Sequence, residues 1–199
     1  MQVDRRAHAH GDRSHRRRRP RHVVRTPCCR AGGSQVLRLG RRRTRAGRHR
    51  DRRGVRRLLL SLPGLTHVLV HFGINDLGLP GMSGEPPVTS DALIEGFKTL
   101  AQRVHQADLK ILVATIGPFA GAVYPGISTP EGLAARREVN DWIRTTDTFD
   151  AVFDVARAVE NPEAPDHIHP DLDSGDGMHP NDKGAQAMAN AVNLETLAL

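Results

Sequence analysis

Two short apolar runs, each ending at a glycine, constrain the fold of this 199-residue chain more than any other feature. The first covers His67 to Phe72 and stops at Gly73, and the second covers Lys110 to Ile116 and stops at Gly117. A weaker third run covers Ala151 to Val155. Short continuous apolar runs are typical of strands that are buried on both faces, as they are in a parallel sheet.

Amphipathic helical patterns separate and follow these runs. The first begins at Ser90 or Asp91, where an N-cap residue belongs. A second covers Pro130 to about Thr146, and a third begins after Pro180. The residues predicted to face the core recur at helical spacing: Leu93, Ile94, Phe97, Leu100, Ala101 and Val104 in the first pattern, Leu133, Val139, Trp142 and Ile143 in the second, and Ala185, Met188, Ala189, Val192 and Leu197 in the third.

Strands that alternate with helices of this length form crossover units. The predicted fold class is therefore α/β, a three-layer α/β/α doubly wound parallel sheet of the flavodoxin-like type, incomplete at its N-terminus. Ligands of such sheets bind at the carboxyl ends of the strands, so the functional residues are expected there.

Charge divides the chain near residue 57. Residues 1–57 contain 21 Arg and 3 Asp, a balance of +18, and no Phe, Tyr or Trp. Residues 58–199 contain 8 Lys and Arg against 19 Asp and Glu, a balance of −11, and the two balances give the net charge of +7. We therefore expect an Arg-rich segment, 1–57, followed by an α/β domain, 58–199.

Three interpretations of the Arg-rich segment stay open. A basic tail can bind nucleic acid or an acidic surface through phosphate contacts, although this one lacks aromatic residues to stack on bases. Dense like charge with little apolar surface also favours a disordered, solvated arm. A GC-rich gene translated out of frame gives Arg-saturated, Ile-free sequence too, and the coding DNA read in all three frames would distinguish this case.

No apolar stretch has the length of a signal peptide or membrane helix, so a cytoplasmic location is expected by default, with secretion open if the N-terminus is not genuine.

The first chemical motif, Gly73-Ile74-Asn75-Asp76, directly follows the first predicted strand. An Asn at the carboxyl end of a central strand can donate an amide hydrogen bond to an oxyanion. The alternative is an ordinary Asn-Asp turn at the strand end, which the tetrapeptide alone does not exclude.

The second motif lies in residues 173–181, which lead into the last predicted helix. Asp176 and His179 are three residues apart on one loop, so the carboxylate can orient the imidazole as a general base. The alternatives are an acidic, Gly-rich loop that caps a helix, or a metal-ligand cluster. Asp166 and His169 repeat the Asp-x-x-His-Pro spacing, but they lie in a Pro-rich stretch that no predicted helix follows. We therefore assign the base to His179.

Together and in this order, Gly73-x-Asn75-Asp76 and Asp176-x-x-His179-Pro180 resemble two signature blocks of the SGNH/GDSL hydrolases, a family of serine esterases and lipases. Residues 114–119 and 137–144 are similar to a bacterial branch of that family, and the likeness covers roughly residues 63–193. The resemblance implies an esterase in which His179 is the base, Asp176 orients it and Asn75 stabilises the oxyanion. It implies no cofactor and a small-molecule, lipid or sugar ester as substrate, and no Cys, His and Asp set has the spacing of a metal site.

Two further blocks of the family would lie in the Arg-rich segment. The family's nucleophile occupies a Gly-Asp-Ser turn, which this chain lacks, and the nearest string, Gly11-Asp12-Arg13-Ser14, makes Ser14 an imperfect candidate. Gly33 resembles the family's second oxyanion donor, and it is equally consistent with a flexible glycine pair. The nucleophile is therefore unknown, and the alternative function is an inactive fragment whose basic arm binds nucleic acid or acidic surfaces.

Overall fold

The sheet of the predicted domain is present in the computed structural model, which describes residues 62–198. Ser14 and Gly33 lie outside the described residues. Three parallel strands pair in the order β1-β2-β3, and each ends two residues before the predicted run does. Their bounds are His67–Val70 for β1, Lys110–Ala114 for β2 and Ala151–Phe153 for β3.

Helices follow each strand. They are α1 (Ile74–Met82), α2 (Ser90–His105), α3 (Pro130–Thr145), α4 (Val155–Val159) and α5 (Asp182–Asn190), with 3-10 helices at Pro170–Leu172 and Leu194–Ala198. A small antiparallel ribbon of β4 (Glu160–Asn161) and β5 (Ala164–Ile168) precedes the first 3-10 helix. The sequence predicted α2, α3 and α5, whereas α1, α4 and the ribbon were not predicted. Within residues 62–198, no helix has the length and apolar character needed to cross a membrane.

The two faces of β2 contact different helices. Ile111 and Val113 belong to a core cluster that includes apolar residues of α2 and α3, whereas Leu112 and Ala114 pack in a second cluster with Met188 of α5. Because side chains alternate across a strand, α2 and α3 cover one face of the sheet and α5 covers the other. This is the predicted three-layer arrangement of a parallel sheet flanked by helices. The strand-order reversal of a doubly wound sheet does not occur among the three described strands.

The N-cap of α2 is Thr89, so the prediction of Ser90 or Asp91 at this position is wrong. Thr89 has the extended backbone that an N-cap requires, and its Oγ1 accepts a hydrogen bond from the backbone N–H of Ala92 at 3.3 Å. Ser90 is already helical, and its hydroxyl donates instead to Glu138 of α3 at 2.5 Å. The cap therefore lies one residue earlier, and Ser90 joins α2 to α3.

Asp150 fastens the amino-terminal end of the sheet. Its carboxylate accepts hydrogen bonds from the backbone N–H of Ile111 at 2.8 Å and from Lys110 at 2.9 Å, and it lies 2.9 Å from Nε2 of His105. Burial acts in the opposite direction, but these hydrogen bonds outweigh it and lower the pKa of Asp150 from 3.8 to about 2. Asp150 therefore joins α2, β2 and the start of β3 at the edge opposite the predicted site.

Candidate active site

Asp176 and His179 form a hydrogen-bonded pair on residues 173–181, which we call the site loop. Nδ1 of His179 lies 2.5 Å from Oδ2 of Asp176. Because a carboxylate only accepts hydrogen bonds, Nδ1 carries a proton and Nε2 of the neutral ring is the basic nitrogen. The His179 side chain is 48% exposed, and no described residue hydrogen-bonds to its Nε2. This nitrogen can therefore take a proton from a group outside the loop.

Several donors converge on the Asp176 carboxylate. Its Oδ1 accepts from the backbone N–H groups of Met178 at 3.0 Å and His179 at 2.8 Å, while Oδ2 faces the imidazole. Partial burial disfavours the charged form, but the hydrogen bonds from His179 and Met178 outweigh it and hold the pKa of Asp176 well below its usual range. Asp176 is therefore an anion at neutral pH, as a group that orients and stabilises an imidazolium must be.

Local hydrogen bonds shape the site loop. Both carboxylate oxygens of Asp173 lie 3.1 Å from the backbone nitrogen of Gly177, and the N–H of Ser174 donates to the carbonyl of His179 at 2.9 Å. Asn181 then caps α5, because its Oδ1 accepts from the backbone N–H of Gly184 at 3.0 Å. The sequence between Asp173 and Asn181 thus builds a closed turn that ends in the last helix.

A second loop, residues 115–129, packs against the site loop; we call it the β2–α3 loop. The N–H of Val123 donates to the carbonyl of Asp176 at 2.9 Å, and the hydroxyl of Tyr124 donates to Asp176 Oδ2 at 3.1 Å. Gly177 has φ +72°, and a Cβ on it would lie 1.9 Å from the carbonyl oxygen of Gly121. The two backbones meet at a distance that only glycine permits.

Asn75 lies in the first turn of α1, directly after the carboxyl end of β1. The chain turns from strand to helix at Gly73, which has φ +111° and whose Cβ would lie 2.6 Å from Cδ1 of Ile116. The Asn75 side chain is exposed and makes no hydrogen bond with another described residue, while burial raises the pKa of the neighbouring Asp76 carboxyl. The amide of Asn75 is thus available to a ligand at the carboxyl end of β1.

The β2–α3 loop also connects α1 with the site loop. A Cβ on Gly78 of α1 would lie 2.7 Å from the Ile127 side chain, and one on Gly81 would lie 2.0 Å from the carbonyl oxygen of Gly126. The same loop contacts Gly177 through Gly121. Asn75 and His179 therefore belong to elements that pack on a common loop, and no direct hydrogen bond joins them.

Asp166 and His169, the alternative Asp-x-x-His-Pro pair, are not hydrogen-bonded to each other as Asp176 and His179 are. Asp166 is buried, and its carboxylate binds Arg136 Nη1 at 2.6 Å and Arg137 Nη1 at 2.5 Å. His169 accepts a hydrogen bond at Nδ1 from the backbone N–H of Asp171 at 3.2 Å, and Asp166 does not orient it. The second Asp-x-x-His-Pro string therefore belongs to an ion-pair network and to the start of a 3-10 helix.

Arg136 and Asn140 of α3, whose roles the sequence does not predict, hydrogen-bond to the backbone that follows β2. Arg136 is only 1% exposed, and its Nε donates to the carbonyl oxygens of Ile116 and Gly117 at 3.0 and 2.7 Å. The Asn140 amide makes a two-way pair with the Ile116 backbone, accepting at 2.7 Å and donating at 2.9 Å. Leu133, Arg136 and Asn140 recur at helical spacing, which was the signal that could have placed them inward.

The described residues include the predicted base and its predicted partner, but no candidate nucleophile is hydrogen-bonded to them. No serine within residues 62–198 is hydrogen-bonded to the His179 ring. In the same range, no group of three or more His, Cys, Asp or Glu side chains is arranged to hold a metal ion.

A sequence profile of the GDSL-like lipase/acylhydrolase family matches residues 4–187. The chain belongs to this family of hydrolases, and the resemblance predicted from the sequence is confirmed. No curated protein matches the chain significantly.

A solved structure from Bacteroides fragilis, provisionally described as an acylhydrolase, is similar to this chain with a TM-score of 0.52 at 17% identity. The alignment covers 72% of this chain and 66% of that one, slightly less than two-thirds of its length. At this identity the likeness supports the α/β fold alone.

Proposed function

We propose that the protein cleaves carboxylic esters through an acyl-enzyme, with His179 as general base and Asp176 as its orienting anion. The observation that carries this proposal is the 2.5 Å contact between His179 Nδ1 and Asp176 Oδ2, which leaves Nε2 of the half-exposed ring without a hydrogen-bond partner among the described residues. Membership of the GDSL-like lipase/acylhydrolase family supports an ester as the substrate class.

In the proposed reaction a serine hydroxyl attacks the ester carbonyl while Nε2 of His179 takes its proton. The protonated ring is stabilised by Asp176 and returns the proton to the departing alcohol. Water then attacks the acyl-enzyme by the same route and releases the acid and the free serine. The amide of Asn75, with the backbone N–H of Gly33 as the second donor, stabilises the oxyanion in both steps. The nucleophile itself stays unknown, and Ser14, which lies outside the described residues, is only a weak candidate because the Gly-Asp-Ser turn is absent.

The two Asp-x-x-His pairs provide a matched test. We expect His179→Ala to lower the rate of p-nitrophenyl acetate hydrolysis by several orders of magnitude, because the members of such a unit act together. His169→Ala is the control and is expected to leave the rate nearly unchanged, since the His169 ring hydrogen-bonds only to the backbone N–H of Asp171 among the described residues. If His169→Ala abolishes turnover and His179→Ala retains it, the assignment of the base is wrong.

A fluorophosphonate probe tests for the nucleophile. An active serine becomes covalently labelled, and mass spectrometry of the labelled peptide identifies its position. The competing proposal, an inactive chain whose Arg-rich segment binds polyanions, rests on the balance of +18 in residues 1–57. It requires no labelling and a salt-dependent affinity for nucleic acid or another polyanion.

A further inference from the structure

We propose that Tyr124 is a positioning residue for the Asp176–His179 pair. It reaches the pair from the β2–α3 loop, 52 residues away in the sequence, and its hydroxyl donates to Oδ2 of Asp176. The proposal rests on the ester-cleaving function assigned above, because a positioning role matters only if His179 acts as the base.

The Tyr124 hydroxyl binds the oxygen that matters for the imidazole. Oδ1 of Asp176 is occupied by two backbone N–H groups of its own loop, whereas Oδ2 lies 2.5 Å from Nδ1 of His179 and 3.1 Å from Oη of Tyr124. A carboxylate oxygen has two lone-pair sites, so both donors can bind it at once. Tyr124 therefore restricts rotation of the carboxylate that directs the ring.

The backbone places Tyr124 where this contact forms. The preceding residue, Val123, donates its N–H to the Asp176 carbonyl, and Gly121 touches Gly177 on the other side of Asp176. Within its own loop, the carbonyl of Tyr124 accepts from the N–H of Ile127 at 3.2 Å. The contact between the hydroxyl and the carboxylate is thus part of a fixed junction between two loops.

The charge at this junction keeps Tyr124 a donor. Hydrogen bonding to the Asp176 carboxylate raises the pKa of the Tyr124 phenol, because the phenolate would lie against an anion. The other titratable groups around the junction are His179 on the site loop, Asp173 through the N–H of Gly177, and His167 of β5, whose ring lies beside Gly121. The phenol therefore remains protonated over the pH range in which an esterase of this type is assayed.

Tyr124→Phe removes the hydroxyl and preserves the ring. We expect kcat for p-nitrophenyl acetate to fall about threefold to tenfold, the effect of one hydrogen bond, with KM little changed. The acid limb of the kcat/KM profile should move to higher pH, because a carboxylate with one donor fewer holds the imidazolium more strongly. Thr145→Val, which removes an exposed hydroxyl that donates to the Asp141 carbonyl at the far end of α3, is the control and should change neither quantity.

The Asp176→Ala variant distinguishes a positioning role of Tyr124 from direct contact between Tyr124 and the substrate. In Asp176→Ala the partner of Tyr124 is gone, so adding Tyr124→Phe should have no further effect on kcat. If Tyr124→Phe lowers kcat by the same factor in both backgrounds, Tyr124 acts on the substrate and the proposal is overturned. If His179→Ala abolishes turnover while Tyr124→Phe changes neither kcat nor the pH profile, the proposal is overturned and the ester-cleaving function stands.

An NMR measurement without substrate tests the positioning role of Tyr124 even if the proposed ester-cleaving function is wrong. If His179→Ala retains turnover, the function assigned to the pair is wrong, and the NMR signal of the His179 Nδ1 proton becomes the readout. We expect this signal to shift or broaden in Tyr124→Phe and to stay in place in Thr145→Val. An unchanged signal in Tyr124→Phe would overturn the positioning role on its own.

Discussion

Gly177→Ala should separate the site loop from the β2–α3 loop. Gly177 has φ +72°, and its added Cβ would lie 1.9 Å from the carbonyl oxygen and 2.2 Å from the carbonyl carbon of Gly121. Both neighbours are backbone atoms, so no side-chain rotation relieves the overlap. One of the two loops must move by more than 1 Å to restore an ordinary contact of about 3.4 Å between carbon and oxygen.

Two effects contribute to the expected loss of the free energy of unfolding in Gly177→Ala. A left-handed backbone costs a residue with a Cβ about 1–2 kcal/mol, and forcing atoms into a filled site costs about 1–3 kcal/mol more. We therefore expect Gly177→Ala to lower the free energy of unfolding by about 2–5 kcal/mol. The displaced site loop should also carry His179 away from its position, so ester cleavage should fall even where the protein remains folded.

Gly175→Ala is the matched control on the same loop. Gly175 has φ +103°, but a Cβ there meets nothing within 4 Å, so only the backbone strain applies. Urea unfolding followed by circular dichroism measures both variants against the unchanged protein. Equal losses in the two variants would refute the reasoning, because the contact with Gly121 would then contribute nothing.

Two further predictions concern other parts of the molecule. Asn75→Ala should lower kcat on the order of a hundredfold to a thousandfold with little change in KM, as loss of one oxyanion donor does, and an effect on KM alone would contradict that role. Asp150→Asn should destabilise the protein above about pH 4, and the difference should vanish as the pH falls toward 2. The sign follows from the pKa of about 2, which lies below the usual 3.8: the carboxylate stabilises the fold while ionised and loses this effect on protonation. Urea unfolding from pH 7 to 2 measures it, and a constant difference would contradict the assignment.

The elements that the sequence predicted are those with a regular apolar period. β1, β2 and β3 have apolar centres that need burial on both faces. The apolar faces of α2 and α3 cover one face and α5 covers the other, so the pattern of strands and helices indicates the three-layer packing. Helix α1 was missed because Gly78, Pro80 and Gly81 have low helix propensity. It packs through the buried Leu77 in the core and through close contacts of Gly78 and Gly81 with Ile127 and Gly126, which lie more than 40 residues further along the chain.

In the candidate site too, a contact set by local spacing can be predicted from the sequence, whereas a contact between distant residues cannot. The Asp176–His179 pair could be predicted because both residues lie on one loop at a spacing that determines their contact. Tyr124 could not, because it meets Asp176 only after β2, its loop and the site loop have packed together. The sequence does not predict the β4–β5 ribbon, because Pro165 is unusual in a strand. Pro165 is tolerated here in a ribbon of two short strands.

Because Asp176 and His179 are only three residues apart, one short segment of the chain contains nearly all the hydrogen bonds of the pair. The hydrogen bonds that set the angle between carboxylate and imidazole all arise within residues 173–181, apart from the one that Tyr124 donates. The relative geometry of the carboxylate and the imidazole is therefore determined mainly by one short peptide. Among the described residues outside this loop, Tyr124 is the one whose side chain hydrogen-bonds to the pair. In recombination or loop grafting, these nine residues should therefore be transplanted together with Tyr124 and with Gly121, which contacts Gly177.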